Sequence, residues 1–291
     1  MRKEKGEAFS FLTSHFSSLT MSEASVIYRS PKPFSRSHLA QDLRALGVVP
    51  GMALLVHSSL SKIGYVPGGP VAVIQALLDV LTTAGTLVMP THSSDLSDPA
   101  LWRNPPIPEA WHEAVRETIP AFDPAVTPTR NMGVIPETFR AWPGVVRSNH
   151  PQASFAAWGQ HARQVTDNHS LEMGLGERSP LARVYDLDGY VLLLGVGHGN
   201  NTSFHLGEVR AKVLATEKQG APIMENGRRL WKWFTDLDYN SDDFVELGYA
   251  YEKEVAVSIG KVGMAESRLF SQRTAVDFAR QWLTENRKNK K

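Results

Sequence analysis

The chain has 291 residues, 42% of them hydrophobic and 21% charged, with 31 basic side chains against 30 acidic ones. That hydrophobic share can bury a substantial core, while a formal charge of +1 gives no general attraction to nucleic acid or an anionic membrane. Cysteine is absent, which excludes disulfides, a thiolate zinc site and any route through a cysteinyl intermediate.

Residues 1–20 lack the apolar centre of a secretory signal, and no apolar run approaches the roughly 20 residues of a membrane span. The cytoplasm is the expected compartment. Met21 offers a second start, so 1–20 are expected to be a disordered extension and 21–291 a single domain. Ser35 or Ser37 can cap a helix that turns Leu39, Leu43 and Leu46 inward and stops near Gly47, with Pro50 beyond. An apolar run at 52–56 reads as a buried strand. After the loop 57-HSSLSKIGYVPGG-69, residues 70–81 place Val73, Ile74, Leu77, Leu78 and Leu81 on one helical face, and 86–89 form the next strand. Strand, helix, strand predicts a parallel sheet with crossover helices.

Residues 91–131 are rich in proline yet carry Trp102, Trp111 and Phe122, which predicts a long structured loop over a site. Further on, 134–141 reads as helix, 153–158 as strand, 190–196 as the clearest buried strand and 201–215 as helix. A hairpin over about 222–234, a helix from Ser241, a strand at 255–264 and a closing helix after Ser271 complete the chain.

The loop after the first strand joins His57, Ser58, Ser59, Ser61 and Lys62 to Gly64, Gly68 and Gly69, and Pro70 suits the first helical position. Free N–H groups at that helix start would favour an anion, and the glycines would let a pyrophosphate approach the backbone. An ordinary strand-to-helix turn is the plainer alternative. There is no Walker sequence, complete dinucleotide fingerprint, H-E-x-x-H zinc pair or G-x-S-x-G nucleophile elbow.

The segments 56-VHSSLSKIGYVPGG-69, 89-MPTHS-93, 147-RSNHPQASFAAWG-159, 176-GERSPLARV-184 and 194-LGVGHGNNTSFHLGE-208 occur in an order that resembles the aminoglycoside 3-N-acetyltransferase family. The resemblance runs from about Ser35 to the C-terminus. It implies a three-layer α/β/α sandwich with a central, mostly parallel sheet, acetyl coenzyme A as donor, and 2-deoxystreptamine aminoglycosides as acceptors. It also implies that His57, Ser58, Ser59, Ser61, Lys62, Gly64, Tyr65, Val66, Gly68 and Gly69 hold the coenzyme. His169 matches the family's general base, Glu208 the carboxylate that orients it, and Thr202 the threonine near the coenzyme sulfur. His198, Gly199 and Asn200 stand where many relatives have a Leu-Asp-Thr-like run.

The chemistry wants these residue types. An ammonium must lose a proton before it attacks a thioester, and histidine can take that proton near neutral pH. A carboxylate on the far ring nitrogen would hold the productive tautomer. Without cysteine, transfer is expected to be direct and to use no metal. A polycationic sugar needs carboxylates and flat apolar surfaces, which assigns His92, Asp95, Trp102, Glu109, Glu117, Asp123 and His205 to substrate binding. A solvated charged loop would look similar, and His205 with Glu208, three apart on a helix, could be only a structural pair. The expected partners are thus an aminoglycoside and acetyl coenzyme A, with no nucleic acid or membrane, and a homodimer stays open. The competing readings are acetylation of another amine metabolite, a metal-dependent hydrolase using His169, His198 and His205, and a noncatalytic coenzyme-binding protein.

Overall fold

The computed structural model describes residues 23–103 and 105–288, so the expected extension at 1–20 lies outside the described residues. Its strands are β1 Ala53–Ser58, β2 Thr86–Pro90, β3 Val146–Arg147, β4 Phe155–Gly159, β5 Tyr190–Leu194, β6 Thr216–Glu225, β7 Arg228–Leu237, β8 Ser258–Val262 and β9 Ala265–Ser271. One sheet takes the order β3-β4-β2-β1-β5-β9-β8, and β6 pairs with β7 apart from it. β1 pairs in parallel with β2 on one side and β5 on the other, whereas the outer strands all join antiparallel. Only β4 and β9 therefore run against the others, and unbroken parallel pairing is confined to the central three strands.

Those three strands are apolar runs because both their faces are covered. In β1, Leu54 and Val56 join one core cluster and Leu55 the other. The helices are α1 Glu23–Arg29, α2 Arg36–Leu46, α3 Leu60–Ile63, α4 Gly69–Leu81, α5 His112–Thr118, α6 Val134–Arg140, α7 Ala162–Thr166, α8 Pro180–Asp186, α9 Ser203–Ala211, α10 Phe244–Glu254 and α11 Gln272–Lys288. Leu43 of α2, Leu77 of α4 and Phe139 of α6 cover one face of the sheet. Val165, Leu181, Phe204, Leu247 and Val276, from α7 to α11, cover the other, which completes three layers. α2 starts on Ser35, whose hydroxyl accepts from the His38 N–H, and ends on left-handed Gly47. Among the described residues no helix is long and apolar enough to cross a membrane.

Two segments differ from the sequence reading. The single strand expected at 255–264 is a hairpin, because Gly263 has φ 61° in a two-residue turn with Met264 and sends the chain back as β9, the partner of β5. Glycine is also required there by space, since a Cβ would lie 2.5 Å from the Ile63 carbonyl oxygen. Segment 91–131 contains a helix, α5, and is strapped to the β6–β7 hairpin. The Phe122 N–H donates to the Pro222 carbonyl at 3.0 Å, the Arg229 guanidinium donates to the carbonyls of Arg116 and Ile119, and the Arg116 guanidinium lies 5.5 Å from the Trp233 ring centre.

The topology also places a crevice. The β1–β2 crossover runs through α4 on one face, and the chain reaches β5 through α7 and α8 on the other. Loops leaving the carboxyl ends of β1 and β5 therefore diverge, and open α/β sheets bind ligands at such a switch point.

Candidate active site

At that point lies a cavity of about 190 Å³ lined by His57, Ser58, Pro90, Asn131, Thr202 and His205, among others. Thr202 immediately precedes α9, and its hydroxyl is 3.3 Å from His57 Nε2. The Ser58 hydroxyl is buried with no hydrogen-bond partner. His205 and Glu208 share one face of α9, so the His205 Nδ1–H donates to Glu208 Oε2. The second Glu208 oxygen accepts from Arg287 and, at 3.4 Å, from the Asn240 N–H. An ionised carboxylate can only accept, so the proton sits on Nδ1 and the Nε2 lone pair is left free. Phe244 and Tyr239 fix the ring, with centroids at 4.8 and 5.3 Å.

His169 is held differently. Its Nε2 lies 2.6 Å from the Gly174 carbonyl, which only accepts, so Nε2 carries the proton and the Ser148 hydroxyl, at 2.9 Å, donates to Nδ1. Both nitrogens are thereby engaged. Burial pushes its pKa down to about 4, against the opposing pull of the Gly174 bond. The expected His169–Glu208 pair is not hydrogen-bonded here: Glu208 holds its helical neighbour His205, while Ser148 and Gly174 fix His169. Burial, followed by the charge of His205, pushes His57 and His92 down to about 3. His92 keeps Nε2 buried and unpartnered, with its ring edge-on to Phe155 at 5.2 Å.

Residues expected to hold the coenzyme divide between two places. Lys62 lines a second crevice of about 300 Å³ with Arg268, Glu266 and His198, and Val196 borders both cavities. Ser59 occupies the N-cap position of α3 and Ser61 lies within that helix, their hydroxyls 3.3 Å apart. Gly64, Tyr65 and Val66 face inward: the Tyr65 N–H donates to Ser30 Oγ at 2.7 Å, a Cβ on Gly64 would sit 2.9 Å from Phe34, and Val66 is in the core. Gly68 and Gly69 start α4 in left-handed geometry but line neither crevice. His198 Nε2–H donates to Glu252 Oε1 at 2.7 Å and the ring stacks on Phe204 at 5.8 Å, so it serves a different wall from His205. Among the described residues no group of three or more His, Asp or Glu side chains is arranged to hold a metal.

None of the acidic-loop carboxylates expected to bind substrate, Asp95, Glu109, Glu117 and Asp123, lines either crevice. Glu109, Glu117 and Asp123 are exposed. Asp95 has one oxygen buried without a partner, and Trp102 donates to Ser97 Oγ at 3.0 Å. Strapping to the hairpin turns this part of the loop away, and only its end, Asn131 and Met132, reaches the cavity with His205. Carboxylates gather instead in an open concavity of about 1050 Å³ lined by Asp238, Asp242, Asp243, Glu246, Tyr249 and Trp282. The signal was present in 236-DLDYNSDD-243, which is acidic and flanked by aromatics. Asn240 of this concavity is followed in the chain by Ser241, which lines the cavity at His205.

A family model described as aminoglycoside 3-N-acetyltransferase matches residues 55–284. The SPbeta prophage-derived aminoglycoside N(3')-acetyltransferase-like protein YokD of Bacillus subtilis (strain 168) is 50% identical over 255 residues, covering 87% of this chain and 94% of its own. Its crystal structure superposes with a TM-score of 0.89 at 48% identity, over 90% of this chain and 98% of that one. Aminoglycoside N(3)-acetyltransferase III of Pseudomonas aeruginosa is 36% identical over 258 residues, covering 86% of this chain and 94% of its own. The structure of AAC-IIIb in binary complex with CoASH gives a TM-score of 0.78 at 30% identity, over 87% and 97% of the two chains.

Proposed function

Since the chain belongs to the aminoglycoside 3-N-acetyltransferase family, we propose that it moves the acetyl group of acetyl coenzyme A directly to the 3-amino group of a 2-deoxystreptamine aminoglycoside, giving resistance. The observation that carries this reading is the free Nε2 of His205, backed by Glu208, in the crevice it shares with Thr202 and Ser58.

In this mechanism His205 Nε2 takes a proton from the acceptor ammonium, and Glu208 steadies the imidazolium that results. The amine nitrogen then forms a bond to the thioester carbonyl carbon. Hydroxyls of Thr202 and Ser58, the latter lacking any protein partner, stabilise the developing oxyanion. The C–S bond breaks, His205 returns its proton to the departing thiolate, and the second proton shed by the nitrogen passes to solvent, leaving a neutral amide. Lys62 and Arg268, in the neighbouring crevice, suit the phosphates at the far end of the donor. The concavity at Asp238, Asp242, Asp243 and Glu246 suits the remaining ammonium groups, with Tyr249 and Trp282 against the sugar rings.

Mass spectrometry of products from an aminoglycoside panel, with the acetylated nitrogen located, tests the reading. One free thiol should appear for each 3-N-acetylated product. Acetylation only of other amines would replace the substrate assignment, and thiol release without product would indicate a thioesterase.

A further inference from the structure

Glu208 has a fully buried side chain, and burying a carboxylate is costly unless a cation answers it. His205 and the Asn240 N–H, both neutral donors, answer its hydrogen bonds but not its charge. Arg287, near the end of α11, answers the charge. Its Nη1 donates to Glu208 Oε1, while Nε donates to Asp243 Oδ2 at 2.8 Å and Nη2 to Asp243 Oδ1 at 2.5 Å and to the Asn240 carbonyl at 2.8 Å. A guanidinium keeps its charge at any working pH, and its planar fork fixes direction as well as charge.

Two packing features hold the fork in place. Gly207 lets α9 and α11 meet closely, since a Cβ there would lie 2.6 Å from the Ala279 Cβ. Asp243, immediately before α10, takes the other edge of the guanidinium, so the acidic concavity and the base share one network.

We propose that Arg287 is a positioning residue: it supplies the permanent counter-charge of Glu208 and fixes that carboxylate, so that Glu208 can orient His205 without loading its Nε2. This rests on the reading of His205 as the base. The residue acts on His205 through Glu208, and its guanidinium also borders the acidic concavity, so the effect of its loss on kcat is read apart from any effect on the aminoglycoside KM.

The test measures kcat, both KM values and Tm for Arg287→Met and Arg287→Lys, with and without Glu208→Gln, beside His205→Ala, at a temperature well below every Tm. Arg287→Met should lower kcat about tenfold, a usual scale for coupling inside one hydrogen-bonded network, with the acetyl coenzyme A KM near that of the parent. Arg287→Lys, which keeps the charge but loses the fork, should recover part of the loss. Added to Glu208→Gln, Arg287→Met should cost less than about twofold more, because members of one unit do not add. Parent-like kcat in Arg287→Met, full multiplication with Glu208→Gln, or no recovery with lysine would each overturn the proposal. If His205→Ala is inactive while Arg287→Met is normal, this inference alone fails; normal turnover in His205→Ala removes the base assignment and this inference with it.

Discussion

His205 and His169 are both partly exposed histidines with two well-defined surroundings, and they are chemically opposite. His205 has a carboxylate behind it and a free nitrogen in front. His169 has a carbonyl and a hydroxyl, one on each nitrogen, and lies tilted against His150 with ring centres 4.7 Å apart. The difference teaches that a base is identified by its partners. An acceptor-only carboxylate frees the far lone pair, whereas a serine that donates consumes it.

The sharpest way to break that contrast is substitution. His205→Ala should lower kcat by on the order of 10²-fold or more, the scale of general-base removal, with the protein still folded by circular dichroism. His169→Ala turning over less than His205→Ala would reverse the assignment. Glu208→Gln should cost less than His205→Ala, and the double variant should match His205→Ala alone.

Acid should separate the two sites next. The folded values of His57, His92 (about 3) and His169 (about 4) lie below the unfolded 6.5. Between those limits the unfolded chain binds protons that the folded chain refuses, so stability falls as pH falls from about 6.5 and is unaffected by these groups above it. Each contributes a slope of about 1.4 kcal/mol per pH unit at most. Urea unfolding across that range should reveal the slope, and His169→Gln should flatten it; a pH-independent midpoint would show that these rings are not buried neutral.

A smaller effect follows from removing Ser148. Ser148→Ala leaves the Phe155 N–H and His169 Nδ1 without their common partner, at a cost of about 1–3 kcal/mol. Tm should drop while kcat, taken below Tm, stays near that of the parent. A kcat loss comparable to that of His205→Ala would place His169 in the chemistry after all. The smallest effects belong to the exposed carboxylates. Single neutralisation of Glu109, Glu117 or Asp123 should leave the aminoglycoside KM within about twofold, a range expected of screened charges that face no cavity, while Asp242→Asn and Glu246→Gln, which line the concavity, should raise it further. The reverse ranking would return the acceptor to the 91–131 loop.

The layered fold was legible because β1, β2 and β5 are apolar runs bounded by turn residues, and because Leu39, Leu43 and Leu46 repeat at helical spacing. The β8–β9 hairpin was missed because its turn rests on one glycine, Gly263, within a sequence that otherwise reads as a continuous strand. The His205–Glu208 pair was visible as a spacing, but spacing could not say which nitrogen is free. Arg287 was invisible because it meets Glu208 only once α9 and α11 have packed. Composition pointed to the loop at 95–123 for substrate binding, and 236–243, acidic and beside aromatics as well, passed unremarked; the hairpin straps that hold the loop away are tertiary.

The sheet order carries a consequence for synthesis. β5, the most apolar segment of the chain, needs β9 as its second neighbour, and β9 lies far downstream. At roughly 5–20 residues per second, the stretch from Leu194 to Ala265 takes on the order of 4–14 s to leave the ribosome. Throughout that interval Tyr190–Leu194 has one unclaimed edge on a nascent chain, an open template for pairing with another copy. Slower translation of this stretch, or faster growth at higher temperature, would lengthen or sharpen that exposure, so yield of soluble enzyme should be governed by chaperone supply during these seconds more than by the stability of the finished fold.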